Sequence, residues 1–407
     1  MITKIDNITY LLDSDKKCAT VTKSLSPYSG AVVIPSSIAV DGVEYTVVDI
    51  LDEAFMDCTA LHSVVLGDNI DSIGISAFEG CAMLSSVKFN DALHAVGLQA
   101  FKGCTSLVEV VFPPKVLVIG RSAFAGCTAL ERAFLPDNLV NIEPSLFDGC
   151  RALERISVGE FVDTVGEYAF CGCSGLTSIT IPESVRSIGS GAFKDTALYK
   201  NKDNWNNGVL YIDNCLINAK PDVVPSEYTI RQGTRVIANF AFDDCSGLTS
   251  ITIPESVTEI GNFAFDGCSG LTSVTIPKSV TVIGDGAFSE CSGLKSITIP
   301  EGVTEIASYA FSGCSGLTSV TIPESVTEIG NGAFEYCSGL TSITIPESVT
   351  KIGYGAFRGC KNLTSITLPK SLLTQIGDKV FSDCNSLTIT KTKKSSEPNP
   401  NDDLPFN

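Results

Sequence analysis

Cysteine carries the most reactive chemistry in this sequence, and its spacing is regular. It falls at Cys58, Cys81, Cys104, Cys127, Cys150 and Cys173, then at Cys245, Cys268, Cys291, Cys314, Cys337 and Cys360. Each step within a series is 23 residues, and Cys384 follows one residue late. Equivalent thiols on neighbouring copies of a repeat could come within disulfide range. A row of them could also suit a soft metal. The surroundings favour a third reading. Every one of these cysteines follows a phenylalanine by three residues, in an apolar stretch where a free thiol serves as a small hydrophobe. The expectation is a row of buried, reduced thiols. Cys18, Cys171 and Cys215 lie outside the series. The pair Cys171-Gly172-Cys173 lacks the further ligands that a metal site needs.

Other reactive residues are scarce. His62 and His94 are the two histidines of the chain, which excludes multi-histidine metal sites. Neither has a recognisable nucleophile beside it. Glycine pairs such as Gly330-Asn331-Gly332 and Gly353-Tyr354-Gly355 lack the third glycine of a nucleotide loop and read as turns. No nucleophile elbow, P-loop or zinc-protease motif occurs. Glu301, Glu324 and Glu347 recur at one repeat position without a calcium-loop signature, and read as a solvated acidic face. The expectation is no catalytic site, no metal and no cofactor. A net charge of −18, from 46 acidic against 28 basic residues, repels nucleic-acid backbones and anionic membrane surfaces. No apolar run approaches a membrane span, and Met1 to Asp15 does not read as a signal peptide. Hydrophobic residues reach 44%, ample for a packed fold.

What must position these groups is a repeat. Phenylalanine recurs at Phe55, Phe78, Phe101, Phe124, Phe147, Phe170 and Phe193, and then at Phe242, Phe265, Phe288, Phe311, Phe334, Phe357 and Phe381, which makes fourteen copies. In the copy from Ala264 to Gly286, Cys268 and Leu271 follow the Ala-Phe pair. Val274 and Ile276 alternate around Thr275, the period of a short strand. Pro277 ends that strand because it cannot donate to a ladder. Val280 and Ile283 return inward, and Gly284 permits a tight turn. The apolar positions are spread around the whole copy. A single copy cannot bury them, but stacked coils can. The fold expected is a parallel solenoid, with strands about 4.8 Å apart on one face and turns or short helices around Phe on the other.

The pattern Leu-x-x-Ile-x-Ile-Pro-x-x-Val-x-x-Ile-Gly, followed by Ala-Phe-x-x-Cys, resembles the BspA-like class of leucine-rich repeats. Such repeats occur in bacterial surface and secreted proteins and in surface proteins of some protists. The resemblance covers roughly residues 50 to 390. It implies a leucine-rich-repeat solenoid of the α/β class that binds or adheres and does not catalyse. It also implies a secreted or cell-surface location, while buried thiols are equally compatible with the cytoplasm. The buried asparagine usual in leucine-rich repeats has no counterpart; the turn after the strand carries Ser256, Ser279, Ser325 or Ser348 instead.

Residues 1–48 lack the repeat. Strand-like stretches at Ile8–Leu12, Ala31–Ile34 and Tyr45–Val48 suggest an N-terminal β cap over the first coil of a solenoid spanning 49–390. The step from Phe193 to Phe242 is too long by 26 residues, which places an insertion at about 199–226. Apolar runs on either side of Asp213-Asn214 predict a β-hairpin there. The insertion also holds Trp205, the single tryptophan, which could anchor a ligand or pack against the coils. The polar tail 391–407 is expected to be disordered.

The residues before and between the buried strand positions should face solvent. In the C-terminal half they hardly vary: Ser250 and Thr252, Ser273 and Thr275, Ser296 and Thr298, Ser319 and Thr321, Ser342 and Thr344. A uniform hydroxyl face suits a spacer or a glycan. The N-terminal half differs, with Val65, Lys88, Glu109 and Val111, Arg132 and Phe134, and Arg155 at the same positions. Exposed apolar residues beside arginine mark interfaces. These seven residues are the candidate contact surface for a protein partner of host, matrix or cell-surface origin, with Trp205 a second candidate.

Overall fold

The computed structural model describes residues 1–372, 377, 379–385 and 387–391. The tail expected to be disordered lies outside them from residue 392 onward, and Lys391 ends a strand. The chain is a β-solenoid of about 15 turns, with a repeat of about 23 residues and almost no helix. Around Phe the choice left open by the sequence resolves to turns. The described helices are one turn at Ala197–Lys200 and a 3-10 turn at Lys202–Asn204.

The chain divides into two compact units, one of residues 1–218 with 235–241, the other of 219–234 with 242 onward. In the first, β1 (Ile2–Ile5) and β2 (Ile8–Asp13) form an antiparallel hairpin, and β3 (Cys18–Thr22) pairs with β2. Asp6 and Asn7 both take positive φ, as a two-residue hairpin turn requires. Next come β4 (Gly30–Val33), β5 (Ser37–Val40), β6 (Val43–Ile50) and β7 (Leu61–Val65). Here the chain enters the repeat: β4 pairs in parallel with β7, and β6 with Ser72–Ile73. From then on most coils give one three-residue strand and one two-residue strand; the coil of Ser187–Ile188 gives the two-residue strand alone, and Ser365–Leu368 has four residues. One core runs from Ile8 to Ala238.

Phenylalanine rings form its axis. From Phe55 to Phe193 successive rings stack with centroids 4.7 to 5.8 Å apart. Tyr28 closes the stack, tilted 42° against Phe55. Its hydroxyl donates to the Thr22 carbonyl and accepts from the Thr9 N–H. The second unit repeats the arrangement, from Phe242 to Phe381 at 5.1 to 5.7 Å, with Tyr228 tilted against Phe242.

The cysteines lie beside the rings as free thiols. Within each series the thiol donates to a phenylalanine carbonyl of an earlier coil, for example Cys127 to Phe101 at 3.2 Å and Cys314 to Phe288 at 3.1 Å, whereas Cys58, at the start, accepts from the Tyr28 N–H. Burial pushes the Cys127 thiol up to about 12, so the reactive thiolate is suppressed. Serine does the work of the missing asparagine. Ser279, Ser325 and Ser348 each donate from Oγ to a valine carbonyl one coil back, at 2.7 Å.

Two glycine positions show what the coil demands. Gly126 has φ +75°, a left-handed conformation that costs other residues about 1 kcal/mol or more. Gly120 has no such φ, but a Cβ there would lie 2.5 Å from the Leu98 backbone nitrogen. Gly120→Ala should therefore lower stability more than Gly126→Ala in urea unfolding. Phe124→Ala should cost about 3–5 kcal/mol, because it empties one rung of the ring stack. In thiol titration, the ladder cysteines should stay silent at neutral pH in the native protein, and all 16 cysteines should react once it is denatured without reductant.

Candidate functional site

The strand face of the first unit is built by register. Each three-residue strand turns its middle residue inward and the two flanking it outward. Val64, Val110 and Ala133 are buried under the face. In the first sheet, Val33 on β4 pairs with Val65 on β7, and Val65 with Lys88 on the strand Ser86–Lys88. In the next, Glu109–Val111, Arg132–Phe134 and Arg155–Ser157 lie side by side in parallel. Glu109, Arg132 and Arg155 form one row, and Val111, Phe134 and Ser157 another.

The structure thus sets the seven predicted residues on successive strands of one face. Val111 is 56% exposed and Phe134 40%, side by side. Beneath the face, Phe89 and Phe112 stack at 5.2 Å, and each turns an edge to the ring axis. That support holds the outer apolar residues on rigid backbone.

The charges on this face are partly spent on each other. Arg132 Nε donates to Glu109 Oε1 at 2.7 Å, and its Nη1 reaches Glu131 at 3.4 Å. The hydrogen bond that Arg132 donates to Glu109 raises the Arg132 pKa further, which keeps it charged. Arg155 and Lys88 have no ion pair among the described residues.

Trp205 is half-buried. Its ring meets Tyr199 edge-on at 5.2 Å, and its Nε1 donates to the Tyr199 carbonyl. It belongs to a hairpin that the sequence reading missed: Trp205–Asn206 pairs antiparallel with Val209–Leu210 around Asn207-Gly208. Asn-Gly is itself the turn signal for such a hairpin. The predicted strands follow, Val209–Ile212 and Cys215–Ala219. At the turn between them, an Asp213 carboxylate oxygen accepts from the Ile181 N–H at 2.8 Å. It replaces the carbonyl that a regular next coil would supply.

Elsewhere the predicted residues stay on the surface. Glu301, Glu324 and Glu347 are exposed. His94 Nδ1 and Asp71 Oδ1 lie 2.6 Å apart across neighbouring coils, both exposed. Among the described residues no three of His, Cys, Asp and Glu converge on a metal position. None of the described helices is long and apolar enough to cross a membrane.

The sequence matches the family described as BspA type leucine rich repeat region, in stretches at 42–150, 97–218, 225–341 and 327–399. The chain belongs to that family. No curated protein matches it. Several solved structures are similar to this BspA-type chain. A leucine rich cell surface protein of Faecalibacterium prausnitzii is 27% identical, covering 97% of this chain and 96% of that one, with a TM-score of 0.47. A leucine-rich repeat protein of Bacteroides ovatus is 28% identical over 96% and 100%, with a TM-score of 0.48. A leucine rich repeat protein of T. pallidum is 31% identical over 50% and 92%, with a TM-score of 0.45.

Two exposed features of this BspA-type chain escaped the sequence reading. Val33 continues the row of Val65 and Lys88, but it precedes the first repeat, so no spacing marks it. Leu117, Val118 and Val140 are exposed at the two-residue strands. Asp213→Ala should cost about 1–3 kcal/mol, since it strands a partly buried N–H. Asp213 has φ +47°, so a loss of thermal midpoint in Asp213→Gly, which keeps the left-handed backbone but removes the acceptor, and not in Asp213→Asn, would check that the side-chain acceptor is responsible.

Proposed function

We propose that this protein is a non-enzymatic binding scaffold whose first unit contacts a protein partner through its strand face. The observation that carries the reading is the adjacent exposure of Val111 and Phe134 beside Arg132 and Arg155. A solvated face has no need of two large apolar side chains in register. Aromatic and arginine side chains on rigid backbone supply most of the binding energy in known interfaces. Val65, Lys88 and Glu109 extend the same surface, and Trp205 stands apart from it as a packing residue. The family resemblance supports an adhesion role and a secreted or cell-surface setting, with a host, matrix or surface protein as the partner.

A glycan is the second reading. It rests on the uniform hydroxyl face of the second unit, where Ser273 and Thr275, and Ser296 and Thr298, are exposed on their strands.

The test is a screen of the intact protein against matrix proteins, host surface proteins and glycans. A protein hit should weaken at least tenfold in the variant combining Val111→Asp with Phe134→Asp, at an unchanged thermal midpoint. Wild-type affinity of that variant for every partner would sink the reading. A glycan hit indifferent to it would move the function to the Ser/Thr face.

A further inference from the structure

The strand face ends at an open edge. β4 has β7 on one side, and among the described residues no strand on the other. The N–H groups of Gly30 and Ile34 donate to the Ala60 and Val65 carbonyls, toward β7. Main-chain groups alternate in direction along a strand. Val32 therefore also faces β7, while Ala31 and Val33 turn their N–H and C=O groups outward. Neither is hydrogen-bonded on that side among the described residues. Natural sheets usually cover or blunt such an edge.

A cavity of about 370 Å³ lies along this edge. Ala31, Val32 and Val33 form one wall, and Lys4, Asp6 and Asn7 at the β1–β2 turn stand on the other side. Ser26, Pro27 and Ser29 complete a lining whose accessible surface is mainly polar, over the buried Ile8 and Tyr28. Lys4 makes no ion pair among the described residues, nor does Asp6. Val33 is 65% exposed and heads the row that continues through Val65 and Lys88.

We propose that the protein partner adds an extended peptide segment to β4. Four outward groups, the N–H and C=O of Ala31 and of Val33, would hydrogen-bond its main chain as a further strand of the face. The segment would carry a carboxylate side chain for Lys4 and a small polar side chain for the Ser26 and Ser29 side of the cavity. Residues beyond it would continue over Val65 toward Val111 and Phe134. The inference deepens the strand-face reading and rests on it for the partner being a protein. The edge supplies what that face lacks, which is a directional main-chain contact that fixes the partner's register.

The probe is a displayed library of linear twelve-residue peptides, panned against the intact protein. Enriched peptides are then measured by calorimetry. Val33→Pro is the decisive variant, because it removes an outward N–H and leaves every bond to β7 in place. Proline is tolerated on a sheet edge. Unchanged circular dichroism and thermal midpoint would show that it folds. The expected result is enriched peptides with an acidic residue near a small polar one, a tenfold or greater loss of affinity in Val33→Pro, and slowed amide exchange at Ala31 and Val33 on binding. Lys4→Glu should weaken the same peptides, and Phe134→Asp should leave short ones unaffected. Loss in Phe134→Asp without loss in Val33→Pro would support the strand-face reading and overturn this one. An empty library, or peptides indifferent to Val33→Pro, would also overturn it. Self-association abolished by Val33→Pro would assign the edge to a second copy of the chain instead.

Discussion

No coil of this chain can close a core by itself, and every other property follows from that constraint. A coil has apolar side chains all round its perimeter and only two neighbours to bury them against. Stability is therefore concentrated in one contact, repeated. In it a phenylalanine ring stacks on the next, a cysteine thiol reaches back to a phenylalanine carbonyl, and short strands pair in parallel. Each rung adds area burial, ring stacking and one weak hydrogen bond. A removed rung leaves two neighbours exposed on one side, which is why loss of one ring is so costly.

The same constraint frees the outside. Outward strand residues take no part in the stacking contact, so they vary without cost to the fold. The two units use that freedom differently. The second carries serine and threonine with little variation, and the first carries valine, phenylalanine and arginine. Thiol chemistry is given up in exchange for packing. Burial holds Cys127 protonated, and the same cause raises every other ladder thiol whose shift is resolved.

The period of 23 residues made the coil readable from sequence, because stacking demands the same residue at the same place each time. Val111 and Phe134 were readable as outward for the same reason. Exposure, however, is not availability. Arg132 reads as a free cation in sequence, and only the register shows it spent on Glu109 one coil earlier. Val33 was not readable, since residues 1–48 obey no period and their pairing with the first coil is tertiary. The Trp205 hairpin had its Asn-Gly signal, but the residues before it are polar apart from Trp205, so only the Asp-Asn turn stood between two apolar runs. The two-residue strands went unread because two residues show no alternation, so the exposed Leu117, Val118 and Val140 had no pattern to betray them.

Left-handed backbone recurs at fixed places in the coil. Ser122, Ser145 and Tyr168 hold positive φ at one position, and Gly103, Gly126 and Gly149 at another. Ring, thiol and left-handed residue must all arrive together for a coil to stack. A short insertion that brings a β-branched residue to a left-handed place breaks that agreement, whereas gain or loss of a complete coil preserves it. The heritable unit of change in such a protein is the coil, and its genealogy should be written in duplications and deletions of whole turns. The copies around Cys245, Cys268 and Cys314 are near-identical, as duplication of whole turns leaves them.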